Sequence, residues 1–151
     1  MRLSALLTPA RVLLDIHPKD KDALITQMVE ALSSLGVVSD LVVLEKEIKE
    51  REALGNTGIG RGVGFPHAKS SQVTDIQVLL ARPAKPMVYG ALDGKPVSIV
   101  LMIVAPADGD NNEYLHTMAR VSRLLGKSEV REKILGAAAP EDVVKLVVEN
   151  E

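Results

Sequence analysis

Residues 97–105 read VSIVLMIVA, nine positions of which only Ser98 is polar. The run has the length of a strand and falls well short of the roughly 18 apolar residues a membrane span needs. Apolar side chains at successive positions point to both faces of a strand, so this one needs cover on both sides. It reads as the central strand of a sheet held between two layers.

Working outward, the sequence supplies those layers. DIQVLLA (75–81) is a second strand rich in Ile, Val and Leu, with Pro83 as its boundary. Between the two strands Pro83, Pro86 and Gly90 mark a loop, and Asp93-Gly94 marks a tight turn. After a polar loop at 106–111, a helix is expected at 112–125, with Leu115, Met118, Ala119, Ser122 and Leu125 on one face. A short helix at 128–135 and a last one at 140–149 follow, with Pro140 suited to a first helical position. Toward the N-terminus, Leu24, Met28, Ala31, Leu32 and Leu35 recur at helical spacing over 19–35, and Gly36 is a stop signal. Ser39 is placed to cap a second helix, 40–54, ended by Gly55-Asn56. Its polar face carries Glu45/Lys49 and Glu47/Arg51 in the favourable i,i+4 order. A short strand is expected at 11–15. The order helix, helix, strands, helix, helix describes a single α/β domain over residues 1–151, with helices on both faces of the sheet.

Composition removes several functions. The chain has one Phe, two Tyr and no Trp, so it offers no platform for stacking bases or sugars. A net charge of −2 without basic clusters argues against nucleic acid. With no cysteine, disulfides, thiolate metal sites and Cys nucleophiles are excluded. The first twenty residues lack the pattern of a signal peptide, and no run is long enough to insert in a membrane. The expectation is a soluble cytoplasmic domain.

The chemistry concentrates in GNTGIGRGVGFPHAKSS (55–71), where glycines at 55, 58, 60, 62 and 64 precede Pro66-His67. It has no Gly-Lys-Ser/Thr and no G-x-G-x-x-G between a strand and a helix, so neither nucleotide fingerprint applies. Two readings of the glycines stand side by side. They form either a nest of backbone N–H groups suited to a phosphate, or tight turns needing positive φ. His67 is equally two-sided. A neutral imidazole nitrogen is a competent nucleophile toward phosphorus, while a histidine beside proline also serves as a packing or loop residue. Arg51 has the simple role of pairing with Glu47. His116 reads as a half-buried helix residue, His17 as a turn residue, and Lys69, Ser70 and Ser71 as loop residues. A metal-dependent hydrolase would require a convergent His/Asp/Glu cluster, and only the scattered His67 and His116 are available; no metal and no cofactor are expected.

Three blocks taken together change these odds: REALGNTGIGRGVGFPHAK (51–69), GALDGKPVSIVLMIVAPAD (90–108) and EYLHTMARVSRLLGKSEVREKIL (113–135). In this order they resemble the enzyme IIA component of the phosphoenolpyruvate-dependent sugar phosphotransferase system, fructose/mannitol and nitrogen-regulatory type. The likeness spans essentially the whole chain, and R-E-x-x-G-x-T-G-I-G ending in Pro-His is its specific part.

The resemblance implies one α/β domain with a mixed sheet between helices. It implies a phosphocarrier that accepts a phosphoryl group on His67, as tele-phosphohistidine, from the histidine phosphocarrier protein, and passes it to a IIB domain. It implies that Arg51 helps hold the phosphoryl group, as a guanidinium fork suits phosphate oxygens. Where the family carries an assisting histidine, this chain has Tyr114; His116, two positions on, is a second candidate helper. A phenol donates a hydrogen bond but takes up no proton as imidazole does. DGKPV and LHT look more like the nitrogen-regulatory branch, and the 151 residues hold no IIB, IIC or carrier domain. The alternative reading is therefore a phosphorylation-sensing regulatory module that binds a transporter or kinase differently in its two charge states.

Overall fold

The computed structural model describes residues 2–55, 58–91 and 93–151. Asn56, Thr57 and Leu92 lie outside them, so the Gly55-Asn56 helix stop and the Thr57 position of the glycine motif are described only through their neighbours. The described residues form a mixed six-stranded sheet with six α-helices, in the order α1 (Leu3–Leu6), β1 (Val12–Ile16), α2 (Lys21–Ser34), α3 (Leu41–Leu54), β2 (Gly58–Gly60), β3 (Val63–Gly64), β4 (His67–Ser70), β5 (Gln77–Pro83), β6 (Ile99–Pro106), α4 (Asn111–Leu125), α5 (Ser128–Gly136) and α6 (Pro140–Asn150). The strand order is β1-β5-β6-β3-β2, with β4 also on β6. β5 runs antiparallel to β6, while β1 is parallel to β5, and both β3 and β4 are parallel to β6.

The central strand is the expected one. In β6 every residue before Pro106 is buried, and its side chains alternate between two cores. Ile99, Leu101, Ile103 and Ala105 meet Val121, Leu124, Ile134 and Val147 of α4, α5 and α6. Val100, Met102 and Val104 meet Leu24, Met28, Leu32, Leu44 and Ile48 of α2 and α3. Neither core is complete without the sheet, which is why one apolar strand specifies a three-layer domain.

Boundaries shift by small amounts for local reasons. Helix α3 is capped by Asp40, whose Oδ1 accepts the N–H groups of Val42 (3.0 Å) and Val43 (3.2 Å), and not by Ser39, whose own N–H goes to the Gln72 carbonyl. The buried face of α4 is only partly the expected one: Leu125 is buried and Met118 packs against the core, but Tyr114, Thr117, Val121 and Leu124 also face inward, and Leu115 stands out in solvent. Apolar Leu115 and Met118 suggested the neighbouring stripe, but Thr117 buries its hydroxyl by donating it to the Glu113 carbonyl at 2.9 Å. Helix α1 was not anticipated.

The glycine-rich segment is not one long loop. It forms β2, β3 and β4, and its glycines serve the turn reading. Gly60 and Gly62 have φ of +84° and +79°, on either side of Arg61 at +58°. That turn is tied down by the Arg61 N–H to Asp93 Oδ2 (3.1 Å) and by the Arg61 guanidinium to the Gly126 carbonyl (3.2 Å). Gly64 has a different purpose. A Cβ there would lie 2.9 Å from Cζ of Tyr89, a ring that is itself buried beneath the Lys21 ammonium. Gly64→Ala therefore forces an aromatic ring that has no room to retreat. A loss of about 1–3 kcal/mol is expected in urea unfolding, and an unchanged midpoint would count against this packing account.

Candidate functional site

Strands β3 and β4 share one register against β6: Val63 opposes Ile99, Gly64 opposes Val100, His67 opposes Ile103 and Ala68 opposes Val104. They are one extended run broken only at Phe65-Pro66, where proline brings no N–H to a ladder. The Pro66 carbonyl accepts from Ile103 N–H (3.1 Å), and that of Ser70 from Ala107 N–H (2.9 Å). Alternate residues of a parallel strand bond to the same neighbour. The backbone groups of His67 and Lys69 therefore point to the opposite, open edge; among the described strands β4 pairs with β6 alone. His67 is thus a strand residue on a sheet edge, and not the loop histidine the glycines suggested.

The imidazole is oriented by its own chain. His67 Nδ1 lies 2.8 Å from the Phe65 carbonyl oxygen. A carbonyl only accepts, so Nδ1 carries the proton and donates it there. In the neutral ring this leaves the lone pair on Nε2, which faces outward to Arg51: Nη2 of the guanidinium is 3.5 Å away. The Phe65 ring flanks the imidazole at 5.4 Å between centroids. Because Phe65 and His67 are two apart on a strand, their side chains share a face, and the hydrogen bond and the ring contact follow from the same geometry.

The remaining residues arrive from both helical layers. Arg51 is in the last turn of α3, on one side of the sheet, and Tyr114 is in the first turn of α4, on the other. The Tyr114 ring is 6.5 Å from the His67 ring. Burial pushes its phenol above the usual tyrosine pKa, with the positive charge of Arg51 partly opposing the shift. The hydroxyl therefore stays protonated, a neutral donor, throughout the neutral range. An open depression of about 420 Å3 beside the histidine is lined by Glu47, Arg51, Leu54, Lys69 and Tyr114.

Three of the four candidates thus converge, and the fourth does not. His116 is exposed; two residues beyond Tyr114 is roughly 200° around the helix, so it faces away from the imidazole. Arg51 and Glu47 do not pair as their spacing suggested. Glu47 instead accepts the buried Ser70 hydroxyl at 2.7 Å, which releases the guanidinium toward His67. Lys69 reaches Asn111 Oδ1 at 3.2 Å and ties β4 to the start of α4. Sequence reasoning missed the Phe65 carbonyl, because a backbone acceptor has no residue signature. Among the described residues no group of three or more His, Cys, Asp or Glu is placed to hold a metal ion.

Comparison with known proteins identifies the family and the fold. Residues 5–150 match the family model described as phosphoenolpyruvate-dependent sugar phosphotransferase system, EIIA 2. A fructose-specific EIIA component of Haloferax volcanii is 33% identical over 144 residues, covering 95% of this chain and 93% of that protein. The fructose-specific EIIABC component of Bacillus subtilis is 32% identical over 151 residues; the chain spans only 24% of that protein's length. The nitrogen regulatory protein IIA-Ntr of Neisseria meningitidis superposes with a TM-score of 0.88 at 24% identity, covering 96% of this chain and 98% of the other. Mannitol IIA of Escherichia coli, solved in complex with phosphorylated mannitol IIB, superposes with a TM-score of 0.78 at 19% identity over 95% and 97% of the two chains.

Proposed function

Because the chain belongs to the phosphoenolpyruvate-dependent sugar phosphotransferase system EIIA 2 family, we propose that it is a phosphocarrier whose acceptor is Nε2 of His67. The observation that carries this reading is the 2.8 Å bond from Nδ1 to the Phe65 carbonyl, which makes Nε2 the nucleophilic nitrogen. The Nε2 lone pair attacks phosphorus as the P–N bond of the donor, a phosphorylated histidine phosphocarrier protein, breaks. The electron pair of that bond returns to the donor's imidazole. Phosphorylation at Nε2 makes the His67 ring cationic while Nδ1 keeps its proton, and the Phe65 carbonyl dipole stabilises that charge. The Arg51 guanidinium, already at Nε2, moves onto the phosphoryl oxygens as they arrive. Loose phosphoryl transfer needs little more than such positioning and charge compensation. Tyr114 stands ready to donate a hydrogen bond from the other side. The reading places the protein in the cytoplasm with its donor; no helix among the described residues is long and apolar enough to cross a membrane.

Incubation with phosphoenolpyruvate, enzyme I and the histidine phosphocarrier protein will add the mass of one phosphate. Peptide mapping and nitrogen-15 NMR will locate it at Nε2 of His67. Phosphate on Nδ1 or on another residue would overturn the reading.

A second reading, a regulatory module with slow onward transfer, is favoured by Tyr114. Its buried phenol stays neutral where an imidazole would take up a proton during transfer. Transfer from His67 to the cysteine of a matched IIB domain is expected to rise in Tyr114→His by about a hundredfold, the lower end of general acid–base assistance. Equal transfer rates in the two proteins would remove the case for a purely regulatory role.

A further inference from the structure

The guanidinium of Arg51 reaches His67 against a local competitor. Alternation along the strand puts Phe65 and His67 on one face of the sheet and Ala68 and Ser70 on the other. Phe65 belongs to the core under α4, whereas Ala68 packs with Leu44 and Ile48 of α3. Arg51 springs from α3, so its side chain passes round the open edge of β4 to come within 3.5 Å of Nε2. Glu47 stands one turn back on the same helix, in the i,i+4 order that favours a Glu–Arg pair, and it lines the same depression. A carboxylate there can harm phosphoryl transfer in two ways. It can draw the guanidinium back onto its own helix, and its charge repels the incoming phosphoryl oxygens.

Ser70 holds that carboxylate. It is fully buried, and its hydroxyl donates to Glu47 Oε1 at 2.7 Å while accepting the Gln72 N–H at 3.0 Å. A serine hydroxyl has one proton, and with its oxygen fixed by Gln72 that proton is committed to Glu47. A hydrogen bond from a buried hydroxyl to a carboxylate outweighs an i,i+4 ion pair on a solvated helix face, so Glu47 stays turned toward β4. We propose that Ser70 is a positioning residue for phosphoryl transfer: by holding the Glu47 carboxylate against β4, it leaves the Arg51 guanidinium to His67 and to the arriving phosphoryl group. Ser70 touches none of the reacting atoms and acts through Glu47 and Arg51. This role rests on His67 being the phosphoryl acceptor, and one arm of its test needs no transfer.

Ser70→Ala is made in the parent chain and in a Glu47→Gln background. Glutamine keeps an acceptor for Ser70 and brings no charge to attract Arg51. Single-turnover phosphorylation by the phosphorylated histidine phosphocarrier protein is expected to slow about tenfold with Ser70→Ala in the parent, the value of one charge-assisted contact. The donor concentration at half-saturation will hold, because a buried serine meets no donor surface. In the Glu47→Gln background the same substitution is expected to change the rate by no more than about twofold, the scatter of uncoupled sites. In the unphosphorylated proteins the imidazole nitrogen-15 resonances of His67 will move with Ser70→Ala in the parent and stay in place in Glu47→Gln. Ser70→Ala also strips the Gln72 N–H of its acceptor, but a loss from that disturbed turn is the same in both backgrounds. Equal losses in the two backgrounds, no loss in either, or unmoved His67 resonances overturn the proposal. Ser70→Cys, a weak donor, takes the place of Ser70→Ala if a urea melt shows the latter unfolded. If the parent itself gains no phosphate on His67, the phosphocarrier reading falls, and the resonances still decide whether Ser70 directs Arg51.

Discussion

His67→Ala protein, given phosphoenolpyruvate, enzyme I and the histidine phosphocarrier protein, will gain no phosphate under conditions in which the parent chain is fully modified. The expected effect is total because no other described histidine has the same preparation. His17 and His116 are exposed, and neither has a carbonyl fixing its tautomer or a guanidinium at its free nitrogen. The loss will be one of chemistry and not of folding. His67 is only half-buried, and the substitution removes one neutral hydrogen bond, worth about 0.5–1.5 kcal/mol. A variant that still gains one phosphate would move the acceptor elsewhere and refute the assignment. Intact-mass spectrometry beside a urea melt separates the two effects.

Arg82→Leu is expected to cost about 3–5 kcal/mol, through the loss of two charge-assisted hydrogen bonds worth about 1.5–3 kcal/mol each. For a domain of this size that lowers the melting temperature by about 6–20 °C. Arg82 is 7% exposed in the middle of the domain. Its Nη1 lies 2.9 Å from the Ile134 carbonyl, which also accepts the Ala137 N–H, and 2.6 Å from the carbonyl of Ala137, just past the end of α5. Its Nη2 pairs with Asp15 at 3.0 Å, but the Asp15 side chain is 68% exposed and that ion pair is worth little. The two roles are separable by calorimetry: Asp15→Asn should change stability by less than about 1 kcal/mol. If it were as damaging as Arg82→Leu, the ion pair and not the helix end would be the source of the stability.

Periodicity was a good guide wherever burial alone decides structure. The all-apolar run at β6, the 3.6-residue pattern of α2 and the stop at Gly36, whose φ is +77°, were all legible. It was a poor guide where a polar group finds an unforeseen partner. Thr117 is buried because the Glu113 carbonyl takes its hydroxyl, and this turns the inner face of α4 toward Tyr114 and leaves Leu115 outside. The short strands β2, β3 and β4 carry glycine, proline and charge in place of alternating apolar residues. Their extended form is imposed by pairing with β6 and with each other, and a pairing between distant segments leaves no local pattern.

For the site, residue chemistry alone left His67 two-sided and Arg51 a partner of Glu47; it was the resemblance of three sequence blocks to a known family that brought His67, Arg51 and Tyr114 forward together. Three matters needed the folded chain. Arg51 had two partners within reach, and Ser70 settled the choice by occupying Glu47. Tyr114 and His116 are two residues apart, and the seating of α4 turned one toward the imidazole and the other to solvent. The nitrogen left with the lone pair was set by the Phe65 carbonyl, a group that every residue possesses and that the bend at Phe65-Pro66 aims at Nδ1. Side-chain chemistry is written in the residue letters; which donor meets which acceptor depends on distances that exist only after helices from both layers close over one edge of the sheet.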